Sequence, residues 1–195
     1  MRISVDAMGG DYAPKEIVRG ALDAATTING LEKLFLVGDE RLIQIELDKS
    51  SKEIPDCIEI ISATEVVEMG EAPASAIRKK KDSSISRAID LVKDGKADAI
   101  FSAGNTGAAV AAATLKLRTL EGVNRPAIAT VMPTSKDPFV LLDAGANTDS
   151  TPEMLQQFAV MGKIYCKEIL GVQSPRIGLL SIGEEEAKGN ETTKK

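Results

Sequence analysis

Residues 97–108 read Ala97-Asp-Ala-Ile-Phe-Ser-Ala-Gly-Asn-Thr-Gly-Ala108, and this stretch sets the fold class. The short apolar run Ala99–Ala103 predicts a buried strand, which stops in a turn built from Gly104, Asn105, Thr106 and Gly107. An Ala-rich helix pattern begins at once. A strand that passes through a polar, Gly-rich turn into a helix is the repeating half-unit of an open parallel sheet, whose ligands bind beyond the carboxyl ends of the strands. Glycine lets the backbone approach a neighbour closely, and the free N–H groups of a helix N-terminus attract anions. The same grammar recurs at Asp6–Asp11 and at Asp143–Asp149. Three such loops at matching places predict one anion-binding pocket.

Along the rest of the chain, apolar runs predict strands at 2–6, 33–37, 57–62, 98–103, 127–132, 139–143 and 176–182. Helical periodicity predicts helices near 14–28, 39–48, 83–94, 105–118 and 152–170, with Gly38, Gly95, Gly122 and Gly171 near element ends as stop signals. Strands separated by helices imply βαβ units, hence an α/β fold with a mostly parallel sheet and helices on both faces. The exception is 127–142, where two apolar runs flank Pro133-Thr-Ser-Lys-Asp-Pro138 with no room for a helix, as in a hairpin or excursion. The longest irregular stretch is 63–82, and loops that long tend to be functional.

The chain has 195 residues, enough for one α/β domain spanning 1–195 with a sizeable core. Aromatics are only 3% and Trp is absent, so the core must be aliphatic. A net charge of -5 argues against general nucleic-acid binding, which needs a basic face. Cys57 and Cys166 lie far apart, without metal-ligand spacing, and read as buried reduced thiols. No apolar run reaches the ~18 residues of a membrane span. The expectation is a soluble cytoplasmic protein. The polar stretch Gly183–Asn190 and the helix-like start Glu191-Thr-Thr-Lys-Lys195 follow the last predicted strand, so the chain reads as the N-terminal portion of a longer protein.

Absences narrow the chemistry. With no histidine, the chain cannot build a Ser-His-Asp or Cys-His catalytic unit or a His-based zinc site. It carries neither a Walker sequence nor G-x-G-x-x-G. Asp, Asn, Thr, Ser, Lys and backbone amides remain, a set suited to holding a phosphate or stabilising an oxyanion. Asp6–Asp11 is either a turn on Gly9 and Gly10 with Asp11 capping the next helix, or a loop facing a ligand. Arg78-Lys79-Lys80-Lys81 is either a solvated charge run or, just ahead of a helix capped by Asp82-Ser83-Ser84, part of an anion site. Asp143-Ala-Gly-Ala-Asn147 fits a capped turn as well as a site, and Lys188-Gly189-Asn190 either touches phosphate or lies exposed. Ala108–Ala113 reads as close helix packing without a function.

Taken together, Asp6-Ala-Met-Gly-Gly-Asp11, Arg78-Lys-Lys-Lys-Asp-Ser-Ser84, Ser102-Ala-Gly-Asn-Thr-Gly-Ala108, Asp143-Ala-Gly-Ala-Asn147 and Lys188-Gly-Asn190 resemble, in order, the bacterial phosphate acyltransferases of phospholipid synthesis, the PlsX family. The resemblance implies a Rossmann-like α/β/α fold similar to isopropylmalate dehydrogenases and phosphotransacetylases. It implies the reaction of acyl-acyl carrier protein with inorganic phosphate, giving acyl phosphate and free carrier protein. It also implies a homodimer, no cofactor, and peripheral membrane association through sequence beyond residue 195. Tyr12 stands where family members commonly carry His. Phosphate is already an anionic nucleophile and a thiolate leaves readily, so the protein need only hold phosphate near the thioester carbonyl and stabilise the oxyanion. On this reading Asn105, Thr106 and Lys188 are the catalytic candidates. Asp6, Gly9, Gly10, Asp11, Lys79, Lys81, Ser83, Gly104, Gly107, Asp143, Asn147 and Asn190 bind substrate or orient the loops, and no metal is expected. The rival readings are a phosphotransacetylase-like enzyme using acyl-coenzyme A, a non-enzymatic domain that binds a phosphorylated metabolite, and a metal-dependent dehydrogenase on the similar fold.

Overall fold

A computed structural model describes residues 1–50, 53–182 and 189–194. Close packing divides the chain into two compact units, Met1–Arg118 and Thr119–Lys195.

The first unit is built from β1 (Arg2–Asp6), α1 (Lys15–Thr27), β2 (Lys33–Gly38), α2 (Glu40–Asp48), β3 (Ile58–Ser62), α3 (Pro73–Lys79), α4 (Ser84–Lys93), β4 (Ala99–Phe101) and α5 (Thr106–Lys116). Its four strands form a parallel sheet in the order β3-β2-β1-β4. Side chains on a strand alternate between faces, and β2 shows why this sheet is covered on both. Leu34 and Leu36 pack with Val18, Leu22, Ile43 and Leu47 of α1 and α2. Phe35 and Val37 pack on the other side with Ala88 and Leu91 of α4. The result is a three-layer α/β/α arrangement. Each fully buried aliphatic here, such as Leu36 and Ile43, contributes about 1.5–3 kcal/mol. Behind α4 a third cluster joins Ala76 and Ile77 of α3 to Ile85, Ile89, Ala108 and Ala112. The small residues of α5 therefore serve close packing, as the sequence suggested.

The second unit holds β5 (Ala129–Met132), β6 (Phe139–Leu142) and α6 (Pro152–Glu168). The two strands form an antiparallel hairpin, with Ala129 opposite Leu142 and Met132 opposite Phe139, so the segment predicted as a hairpin or excursion is a hairpin. Helix α6 buries Met154 and Phe158 and begins at Thr151, whose hydroxyl caps Met154 N.

Four expectations need correction. The stretch 63–82 is not simply irregular, because it contains α3. The run expected as a buried strand at 98–103 pairs only over Ala99–Phe101, and only with β1 among the described residues. It is an edge strand, and Phe101 is 53% exposed. The run 176–182 forms no strand, since no described neighbour supplies a ladder, and Leu180 and Ile182 are more than four-fifths exposed at 84% and 81%. Finally, the two cysteines are free but only partly buried. Among the described residues no helix is long and apolar enough to cross a membrane.

Candidate anion-binding site

In the order β3-β2-β1-β4 the chain moves from β1 to one side through β2 and β3, then returns past β1 to place β4 on the other side. That reversal falls between β1 and β4, and ligands of such sheets bind in the crevice beyond the carboxyl ends of the strands at this switch. Asp6 ends β1, and Ser102 follows the last residue of β4. The two loops predicted as ligand-facing, 6–11 and 102–107, therefore meet at the switch point.

They mesh through their small residues. Asp6 is 3% exposed, and its Oδ2 accepts a 2.8 Å hydrogen bond from Ser102 Oγ. Ser102 Oγ in turn accepts from Gly104 N at 3.1 Å. A Cβ on Gly9 would lie 2.5 Å from Asp6 Oδ2 and 2.9 Å from Ser102 Oγ, and one on Gly104 would lie 3.0 Å from Gly9 Cα. Gly10 has a positive φ of 118°, and a Cβ there would stand 3.2 Å from Ala103 O. These three glycines let one loop seat against the other. Gly107 does the same toward α3, where a Cβ would meet Pro73 Cγ at 2.6 Å. Asp11 is exposed and caps nothing, because the N-cap position of α1 is Pro14, with no side-chain cap.

Asn105 is the N-cap of α5. Its Oδ1 accepts from Ala108 N at 3.0 Å. Its Nδ2 faces three backbone carbonyls of the preceding segment, Glu68 O at 3.3 Å, Met69 O at 3.0 Å and Glu71 O at 3.1 Å. The side chain is thus committed on both sides to the protein. The first N–H groups of a helix have no intrahelical acceptor. Gly104 N is taken by Ser102 and Ala108 N by Asn105. Among the described residues, the N–H groups of Thr106 and Gly107 have no acceptor, and both residues are exposed.

The basic run divides. Lys80 Nζ donates to Val66 O at 2.7 Å and to the Glu71 carboxylate. The Lys80 ammonium, together with Glu68 N, holds the Glu71 carboxyl below the usual carboxylate range. Lys79 and Lys81 are exposed and make no ion pair among the described residues. Ser83 is fully buried at the N-cap position of α4, but its hydroxyl donates backward to Lys80 O at 2.9 Å instead of capping the helix. Asp82 does not cap either. Its Oδ2 accepts from Thr64 N and Thr64 Oγ1, bonds that hold its carboxyl below its ordinary value.

In the second unit Asp143 gathers four donor bonds, from Ile128 N at 2.8 Å, Ala146 N at 3.1 Å, Asn147 N at 2.7 Å and Asn147 Nδ2 at 3.0 Å. Burial raises its carboxyl, but these donors outweigh burial and hold it below its ordinary value. Asn147 Nδ2 also donates to Pro126 O at 3.0 Å. This loop is a capped turn that closes the end of the hairpin. Asn190 opens a turn, accepting Thr193 N at 3.0 Å, and is exposed. Lys188 lies outside the described residues.

An open groove of about 620 Å³ runs along the ends of β2 and β3, between Asp39–Ile45 and Ser62–Thr64. None of its lining residues belongs to the 6–11 or 102–107 loops. Among the described residues no cluster of three His, Cys, Asp or Glu side chains suits a metal. Sequence reasoning missed Ser102, Glu71 and Lys80 as individual residues. Ser102 stood inside the quoted stretch and Lys80 inside the basic run, but their partners are 96 and 9 residues away.

The chain is similar to proteins named phosphate acyltransferase from several bacteria. It is 52% identical over 195 residues to that of Halothermothrix orenii, covering 100% of this chain and 58% of the relative. It is 54% identical over 193 residues to that of Pelotomaculum thermopropionicum, covering 99% of this chain and 55% of the relative. The match to the Desulforamulus reducens protein is again 54% over 193 residues, 99% of this chain and 57% of the relative. The chain thus spans somewhat over half the length of these curated relatives. A family model described as fatty acid synthesis protein matches residues 1–195, and the chain belongs to that family.

Proposed function

We propose that the protein transfers an acyl group from acyl-acyl carrier protein to inorganic phosphate, producing acyl phosphate and the free carrier thiol. The observation that carries this reading is the exposed pair of N–H groups at Thr106 and Gly107, held at the switch point by the braced cap of Asn105. The similarity to phosphate acyltransferases along the whole chain supports it. A phosphate oxygen attacks the thioester carbonyl and forms the new C–O bond. The tetrahedral oxyanion then collapses, the C–S bond breaks, and the departing thiolate takes the proton that hydrogen phosphate gives up. Thr106 N, Thr106 Oγ1 and Gly107 N hold the anion, and the dipole of α5 favours negative charge there. Asn105, Ser102 and Asp6 position these donors without touching the reacting atoms. The exposed Lys79 and Lys81 offer positive charge to the carrier protein, which the family resemblance implies is acidic. On this reading the enzyme is a cytoplasmic homodimer that meets membranes peripherally.

The test is a phosphate-dependent acyl-transfer assay on the full-length protein, following release of free carrier thiol. Turnover of acyl-acyl carrier protein well above that of acyl-coenzyme A is the expected result. Preference for acyl-coenzyme A would favour the phosphotransacetylase-like reading. Phosphate binding without transfer would favour a non-enzymatic domain.

A further inference from the structure

Lys80 behaves differently from the other members of the basic run. Its side chain is 29% exposed and turns back along its own segment, where Nζ binds Val66 O and the Glu71 carboxylate. The same Glu71 oxygen accepts Glu68 N at 2.9 Å. These bonds close residues 66–71 into a tight turn, and the carbonyls of Glu68, Met69 and Glu71 from that turn all meet Asn105 Nδ2. Asn105 then passes the constraint to α5 by holding Ala108 N. Helix α3, which follows the turn, seats Pro73 against Gly107.

We propose that Lys80 and Glu71 form a positioning pair for the anion site: they fix the 66–71 turn, the turn fixes the Asn105 amide, and Asn105 determines which N–H groups of α5 remain open to phosphate. The inference rests on the reading of Thr106 and Gly107 as the phosphate donors. It gives Lys80 a role opposite to that of a lysine that pairs with phosphate directly, and the two roles differ in sign at Glu71. Were Lys80 a phosphate ligand, Glu71 would compete with the substrate for its charge, and removing that carboxylate would tighten phosphate binding. As a positioning pair, loss of either partner loosens the turn and weakens phosphate binding.

The experiment measures kcat, the KM for inorganic phosphate and the KM for the acyl carrier substrate on the full-length protein. Glu71→Gln and Lys80→Met are each expected to raise the phosphate KM about tenfold, below the ~100-fold that a 1 Å misplacement can cost. The carrier KM should stay within about twofold. Lys80→Arg, which keeps a cationic donor for Glu71 and Val66 O, should sit near wild type. The rise in melting temperature on adding inorganic phosphate reads the same site without turnover. An unchanged or lowered phosphate KM in Glu71→Gln overturns the proposal, as does a Lys80→Arg protein no better than Lys80→Met. Wild-type protein that binds phosphate but transfers no acyl group sinks the proposed reaction instead, and the melting series still decides the positioning pair.

Discussion

Replacing Asn105 by alanine removes the cap of α5 and the staple on the 66–71 turn in a single step. Loss of the cap on Ala108 N costs about 1 kcal/mol. The amide group has two N–H donors for the carbonyls of Glu68, Met69 and Glu71, and these carbonyls lie near enough to solvent to be partly rehydrated. Their net loss is therefore about 1 kcal/mol in total. The sum, about 2 kcal/mol, lowers the melting temperature of a unit of this size by roughly 6–10 °C. The phosphate-dependent rise in melting temperature should shrink at the same time, because the α5 N-terminus is no longer held in register. Asn105→Asp sharpens the case. It keeps an acceptor for Ala108 N but points a carboxylate at three carbonyls, so it should lose as much stability as alanine despite retaining the cap. Circular-dichroism melts of wild type and both variants, with and without phosphate, decide the matter. An Asn105→Ala protein that melts within about 2 °C of wild type, yet loses on the order of 100-fold in turnover, refutes the brace and makes the amide a direct oxyanion donor.

Gly9→Ala should destabilise by about 1–3 kcal/mol in urea unfolding, since its Cβ would lie 2.5 Å from Asp6 Oδ2 and must displace a buried carboxylate. A neutral effect would mean that the two loops are not tightly meshed. Reversing the charge of exposed Arg78, Lys79 and Lys81 should raise the KM for the acidic carrier and flatten its salt dependence, leaving the phosphate KM alone. A raised phosphate KM would instead place these cations in the pocket. Hydrogen bonds from the Arg2 guanidinium and Arg2 N hold Asp98 at about 2, against an ordinary value of 3.8. A depressed carboxyl contributes stability that is fully present above the ordinary value and is lost as pH falls through the depressed one. The gap in unfolding midpoint between wild type and Asp98→Asn should hold at neutral pH and close between pH 3.8 and about 2. A gap that persists in acid would show that the pair acts through packing.

The layered sheet was legible because strands and helices differ in hydrophobic period, and because β2 is apolar enough to be covered on both faces. Helix α3 escaped notice for a physical reason. Ala72 at its N-cap offers no side-chain acceptor, and its only start signal is Pro73 at the first turn. The run at 176–182 misled in the opposite way, because apolarity proposes a strand but only a neighbour's ladder makes one. At the site, the turn residues Asn105, Thr106 and Gly107 could be read from their place between strand and helix. The reason for Gly9 and Gly104 could not, since Gly9 lies against Asp6 and Ser102 and Gly104 lies against Gly9, contacts that arise only when the two loops fold together. The commitment of the Asn105 amide to residues 68–71 was equally invisible, because it depends on how a loop folds back.

The pairing of β1 with β4 also bears on the order in which the protein is made. Ile3 lies beside Ala99 and Val5 beside Phe101, so one flank of the first strand stays unpaired until a segment synthesised more than ninety residues later has emerged. Parallel pairings across such separations close slowly, because the chain entropy must be spent before the contact returns anything. The bond between Asp6 and Ser102 belongs to that late event, at a separation of 96 residues. On the ribosome, β1, β2 and β3 with α1 and α2 can assemble as an early half-sheet, while the anion cradle forms only when β4 docks against the exposed flank of β1.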